Sequence, residues 1–191
     1  CYLPLLVFEA NSGALVTAVL RPGKRPTGAE NAMIMKRVIC LLCRHWPQTH
    51  ILLRGDGHFA NPELMALIQA DSHADFLFGL GGNQVLARQA EGLMKNALGH
   101  LALHQSLATR GLGPVVAAVR HFGEFEYAAG SWPQAFRVVV KAEVLAGSDV
   151  MSAKDNQRYV VTSLRRASPQ ALYQQEYCAR GQAENLIKQV K

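Results

Sequence analysis

The chain has 191 residues, with 20 Lys and Arg against 14 Asp and Glu, giving a formal charge of +6 and a pI near 9.4. It is 49% hydrophobic and only 18% charged, below the ~25% charged share of ordinary soluble domains. That balance excludes intrinsic disorder and supplies one sizeable buried core. No apolar run approaches the ~18 residues that span a bilayer, so a membrane partner is excluded, and the positive excess favours a polyanion.

Both ends suggest an internal segment of a longer protein. Cys1 leads straight into the apolar run Tyr2 to Phe8, with neither the basic region nor the cleavage site of a signal peptide. The chain stops at Lys191 inside a helical pattern, with no Gly or Asn stop signal. The four cysteines, Cys1, Cys40, Cys43 and Cys178, are too scattered for a disulfide framework and fit a reducing, cytoplasmic setting.

Tyr2 to Phe8 and Ala14 to Leu20 read as a hairpin whose turn, Glu9 to Gly13, holds an Asn and a Gly able to adopt positive φ. After a breaker-rich stretch, Met33, Ile34, Val38, Leu41, Leu42 and Trp46 follow helical spacing up to Pro47. His50 to Arg54 is a short strand. Asn61-Pro62 opens a helix with Asn as N-cap and Pro at its first position. Asp75 to Leu80 is a further strand, and a long helix is expected from Asn83 to about Leu107. From Gly111 the period changes: Val115 to Val119, Phe122 to Tyr127, Phe136 to Leu145 and Tyr159 to Ser163 read as strands. A last helix starts near Ser168-Pro169. The order predicts a mixed sheet covered by helices.

Several patterns have bland explanations. Cys40-Leu-Leu-Cys43 has the spacing of half a zinc site, but no second pair exists and it lies on an apolar helix, where core packing is the expected role. His100 and His104 are four apart without the Glu of a zinc-protease helix. Gly79 to Gln84 sits where a dinucleotide fingerprint would sit, but Gln84 replaces its last Gly, leaving a plain strand-to-helix turn. Asp56, in Arg54-Gly55-Asp56-Gly57-His58-Phe59, comes just after a buried strand, among glycines. By local sequence a turn residue and a metal ligand suit it equally.

The last helix is the most informative. At about 100° per residue, Tyr177, Arg180, Glu184, Lys188 and Lys191 fall on one face, opposite Ala179, Ala183, Leu186 and Val190. One carboxylate among cations suits a metal-bound phosphate; a solvated amphipathic helix with Glu184 paired to Lys188 has the same pattern.

Tyr177, Arg180, Glu184 and Lys191 also match Y-x2-R-x3-E-x6-K in every spacing. This resembles the signature of DDE transposases of the insertion-sequence-four superfamily, and Asp56-Gly57-His58-Phe59 is similar to the strand-end motif of the family's second acid. The resemblance covers essentially the whole chain, including Leu5 to Phe8, Ala18 to Gly23 and Tyr127 to Trp132. It implies an RNase H-like α/β core over residues 1–110 with its first strand missing, a β-rich insertion over 111–167, and a closing catalytic helix over 168–191. It implies two Mg²⁺ ions held by three carboxylates, with Asp56 as second and Glu184 as third. Tyr177, Arg180, Lys188 and Lys191 would contact DNA, and Trp132 resembles an insertion-domain Trp that stacks on a displaced base. Transposon ends and target DNA are the implied double-stranded partners of a homodimer in the bacterial nucleoid.

The family's first Asp belongs on a strand before Tyr2, and Glu9 is wrongly placed to replace it. An incomplete metal site and an inactive segment are therefore expected. Lys24, Arg25, Lys36, Arg37, Arg165 and Arg166 suit phosphate contacts. A non-catalytic DNA-binding or oligomerisation remnant is the alternative. An α/β enzyme binding a small molecule near Gly79 to Asn83 is a third, disfavoured by the polar stripe on the last helix.

Overall fold

In the computed structural model, residues 2–147 and 154–190 are described, the last two by backbone alone. A hairpin, β1 (Leu5–Phe8) and β2 (Leu15–Val19), is followed by α1 (Gly28–His45), β3 (Ile51–Gly55), α2 (Pro62–Gln69), β4 (Ala74–Leu80), α3 (Gln84–Gln89) and α4 (Glu91–Thr109). Next come three long strands, β5 (Ala118–Tyr127), β6 (Phe136–Leu145) and β7 (Lys154–Thr162). The chain closes with α5 (Pro169–Ala171), a π-helical turn over Leu172–Tyr177, a 3₁₀ turn over Cys178–Gly181 and α6 (Gln182–Val190).

Five strands form one mixed sheet in the order β3-β4-β7-β6-β5. Only β3 and β4 run parallel, Ile51 pairing with Ala74 and Gly55 with Phe78. The strands of the 111–167 stretch extend this same sheet, because β7 pairs antiparallel with β4 from Leu77↔Thr162 to Leu80↔Tyr159. Among the described residues β1 and β2 pair only with each other. With helices flanking the sheet, this is the mixed α/β, RNase H-like architecture that the resemblance implied.

Strand alternation sorts the core into two layers. Phe76, Phe78, Phe136, Val138 and Val140 face α1, α2 and α3, where they meet Met35, Leu64, Met65, Ile68 and Leu86. Farther along that face, Ala142 and Val144 meet Met94, Ala97 and Leu101 of α4. Leu77, Val139 and Val160 point the other way, against Leu172 and Tyr173 of the π-helical turn.

Local chemistry sets most boundaries. Thr27 closes a capping box, its hydroxyl accepting Glu30 N–H at 3.1 Å while the Glu30 carboxylate accepts Thr27 N–H at 2.7 Å. α1 therefore starts at Gly28, ahead of the apolar period that begins at Met33. Asn61 and Asn83 cap α2 and α3 through Leu64 N–H and Leu86 N–H, both at 3.0 Å. In the hairpin turn only Gly13 is left-handed, at φ +71°, so Asn11 needs no positive φ. Glu9 closes that turn by accepting Asn11 N–H, Ser12 N–H and the Ser12 hydroxyl; the hydroxyl and backbone N–H groups hold its carboxyl down at about 2.

Three expectations need correction. The helix expected from Asn83 to about Leu107 is two, broken at Ala90, which ends α3 and starts α4 while its side chain is buried. The two short strands expected from Val115 are one, since every residue from Ala118 to Tyr127 pairs with β6. The last helix is not a straight α-helix: Cys178 N–H bonds Tyr173 O, an i→i+5 bond, before the 3₁₀ turn begins.

Candidate functional site

The Asp56 turn is built by its neighbours. Gly55 cannot carry a side chain, because a Cβ there would lie 2.7 Å from the Phe59 ring. That ring packs against Phe78 at 6.0 Å, so the chain must fold back directly after β3. Asp56 Oδ1 accepts His58 N–H at 2.9 Å, and Asp56 O accepts Phe59 N–H at 3.1 Å. From outside, Asn31 of α1, only 1% exposed, donates its amide to His58 O at 3.2 Å. Asn61 donates to His58 O and Phe59 O, both at 3.3 Å. The Asp56 side chain stays 47% exposed, with His58 Nδ1 3.2 Å away.

The C-terminal segment docks on the same end of the sheet. Leu52 and Arg54 alternate onto the face that Leu172 and Tyr173 cover. Arg54, its side chain 17% exposed, donates Nη1 to Glu176 O at 2.8 Å. Tyr177 Oη fills a notch over β4: a Cβ on Gly79 would lie 2.5 Å from it, and 3.2 Å from Gly57 N. In a 3₁₀ turn residues three apart eclipse. Arg180 stacks over the Tyr177 ring at 5.4 Å, more nearly eclipsed than in a straight α-helix, where the two would stand about 60° apart on one face. Arg180 Nη1 lies 3.8 Å from Glu184 Oε1. A cavity of about 270 Å³ opens beside them, lined by Gly57, Gly79, Leu80, Arg158, Tyr173 and Tyr177.

Of the face expected for the last helix, Tyr177, Arg180 and Glu184 thus form one connected row, with Glu184 65% exposed. Lys188 is exposed farther along, and Lys191 lies outside the described residues. The expected buried side departs from the sequence reading: Ala179 is exposed, Ala183 and Leu186 are half-buried, and the side chain of Val190 lies outside the described residues. Leu186 comes within 3.2 Å of a Cβ position on Gly13, which seats α6 beside the hairpin turn. Trp132 packs edge-on against Tyr127 and Phe136, at 5.4 and 5.7 Å, on the sheet face opposite Tyr177.

Among the described residues no three His, Cys, Asp or Glu side chains gather as a metal site. Asp56 and Glu184 still suit Mg²⁺ in kind, since Mg²⁺ takes hard oxygen donors and is commonly held by one or two carboxylates with substrate phosphates and water. Arg180 Nε is buried without an acceptor, a donor that a phosphate oxygen would satisfy.

The other candidates are accounted for locally. Asn83 spends its side chain on capping α3 and on Tyr127 Oη, at 3.0 Å. The core packing expected for Cys40 and Cys43 holds only for Cys43, half-buried against the core, whereas Cys40 is exposed; both are free thiols. His100 pairs with a residue the sequence did not suggest, its Nδ1 lying 3.0 Å from His121 Nε2. Lys24, Arg25, Lys36, Arg37, Arg165 and Arg166 are all exposed. A second cavity, of about 410 Å³ between Asp75 and Arg166, lies at the far end of β4. Its only carboxylate, Asp75, is already engaged by Ser163 and His50. No helix among the described residues is long and apolar enough to cross a membrane.

Arg54 and Asn31 were missed as site residues, and Gly79, read as a plain strand-to-helix turn, instead makes room for Tyr177. The available signals were a lone cation in the apolar run Ile51 to Leu53 and a lone amide on the buried side of α1. Against this geometry, the family model described as transposase DDE domain group 1 matches residues 1–191. Comparison with curated proteins and with solved structures gives no match.

Proposed function

The chain belongs to the transposase DDE domain family, and from that premise we propose that it is a catalytic domain for metal-dependent strand cleavage and strand transfer in DNA transposition, of the insertion-sequence-four type. One observation carries this reading. The row Tyr177, Arg180 and Glu184 is seated, through the Gly79 notch and the Arg54 bond, on the strand ends that present Asp56.

In this reading Asp56 and Glu184 hold Mg²⁺. Bound metal acidifies water into a nucleophile and neutralises charge on the phosphodiester. The chain's own groups do the rest. Arg180 offers its unpaired Nε to a phosphate oxygen and is held in place by the Tyr177 ring. Lys188 adds positive charge along the same helix, and Lys191 and Trp132 are further proposed DNA contacts. A first acid is needed for the second Mg²⁺. A strand between β1 and β3, each of which leaves one edge unpaired among the described residues, would supply it. Transposon ends and target DNA are the proposed partners, bound by a homodimer. With these comes nucleoid association.

The test is Mg²⁺-dependent nicking of a transposon-end duplex by the natural full-length protein. Asp56→Ala and Glu184→Ala should each lower cleavage by at least ~100-fold, with DNA affinity nearly unchanged. Cleavage that survives Glu184→Ala would overturn the reading. A second reading, a non-catalytic DNA-binding or oligomerisation remnant, is favoured by the lack of a three-carboxylate cluster among the described residues. It would be upheld by binding without any metal-dependent nicking.

A further inference from the structure

We propose that Arg54 is a positioning residue for the third acid: its bond to Glu176 O locks the π-to-3₁₀ join of the C-terminal segment, and that join aims Arg180 and Glu184 at the Asp56 turn. The inference rests on the site assignment above and deepens it, because Arg54 touches neither metal nor DNA in this account.

Three observations carry it. The join is irregular by i→i+5 bonding at Cys178 and then 3₁₀ bonding to Gly181, and a change of ladder leaves carbonyls in need of outside donors. The Glu176 carbonyl, one residue before Tyr177, receives one from Arg54 Nη1 at 2.8 Å across 122 residues of sequence. Arg54 sits on β3, two residues before Asp56, so a single side chain ties the second acid's strand end to the third acid's helix.

The register of the join sets the direction of each later side chain. Tyr177 fits only because Gly79 has no side chain. Arg180 stacks on Tyr177 because a 3₁₀ turn eclipses them. Glu184 lies one further helical turn on and faces Arg180. Were the segment to relax to a uniform α-helix, at about 100° per residue, Arg180 would stand about 60° round from Tyr177 instead of nearly eclipsing it, and Glu184 would turn with it. A charge-assisted bond in a mostly buried setting is among the stronger single polar contacts, and the Glu176 side chain, 3.8 Å from the same guanidinium, adds to it.

The test compares Arg54→Met, Arg54→Lys and Glu184→Gln in the natural full-length protein. Amide hydrogen exchange, DNA affinity and the Mg²⁺ concentration giving half-maximal nicking are measured for each. Arg54→Met should speed exchange over residues 172–184 by roughly 10- to 100-fold, one charge-assisted bond in rate units, and leave β4 to β7 unchanged. It should raise half-saturating Mg²⁺ by a similar factor while DNA affinity stays within about twofold. Arg54→Lys, which can still donate to Glu176 O, should fall between it and the parent. It decides the matter should Arg54→Met not fold. Uniformly faster exchange would make Arg54 a general stabiliser and overturn the inference, as would unchanged exchange over 172–184 or an unchanged Mg²⁺ requirement. Nicking retained by Glu184→Gln would sink the site assignment itself. Nicking lost in Glu184→Gln but untouched in both Arg54 variants would sink this inference alone.

Discussion

The two faces of the sheet are held by different physics. On one, α1, α2 and α3 lie on close-packed apolar residues, with Phe76 stacked on Phe78 at 5.2 Å and edge-on to Phe136 at 5.5 Å, and each helix starts at a side-chain cap. On the other, a short apolar patch around Leu172 and Tyr173 is supplemented by directional polar contacts: Arg54 to Glu176 O, and Arg137 to Leu164 O and Ala167 O. Area-driven packing tolerates small slips, whereas a guanidinium on a carbonyl fixes one position. Asp56 is thus anchored through a regular scaffold. Glu184 rides on an irregular segment whose aim depends on a few bonds.

The contrast breaks most readily at Phe76. Phe76→Ala, at a fully buried site, should cost about 3–5 kcal/mol in denaturant unfolding, with loss of the whole cooperative transition. A cost below ~1 kcal/mol would mean that the capped face is not the main store of stability.

Next in size is Arg137, whose side chain is 12% exposed and which also pairs with Glu124. Arg137→Met should cost about 1.5–3 kcal/mol, and limited proteolysis should open near residues 163–172 before the sheet unfolds. Protection unchanged in that loop would show that the apolar patch alone holds the segment.

Two acid steps should fall on the β5–β6 half. Burial, with His100 nearby, pushes the His121 imidazole below its ordinary 6.5. Its contribution to stability is therefore full above that value and is lost as pH falls below it. Glu143 is held at about 2, first by Lys141 and then by Arg120 and Asn156. Its contribution is full above the ordinary 4.5 and is lost as pH falls towards 2. Melting temperatures across this range should fall in both windows, and His121→Phe should flatten only the upper one.

Legibility in the sequence obeys the same division. The hairpin, the Asn61-Pro62 start, the Asn83 turn and the change to β period after Gly111 were readable because each boundary is written in caps, glycines and alternation. The break at Ala90 was not, since alanine carries no stop signal. The join at Tyr177 was invisible for a deeper reason. Leu172 to Arg180 contains no Gly or Pro, and the deviation is imposed by Arg54 and by the Gly79 notch, both more than 90 residues away in sequence. The Asp56 motif and the spacing of Tyr177, Arg180 and Glu184 identified the family, yet the one-face arithmetic assumed a straight helix. The 3₁₀ turn brings Arg180 more nearly over Tyr177 than that helix would.

Asp56 and Glu184, from these two differently held regions, are proposed to serve one metal site. Crystals of the natural full-length protein with a transposon-end duplex and Mn²⁺ test it directly through anomalous scattering. The expected result is a Mn²⁺ peak with a carboxylate oxygen from Asp56 and one from Glu184 each about 2.0–2.2 Å away. A peak that one of them alone approaches, or Mn²⁺ found only elsewhere on the chain, would contradict it.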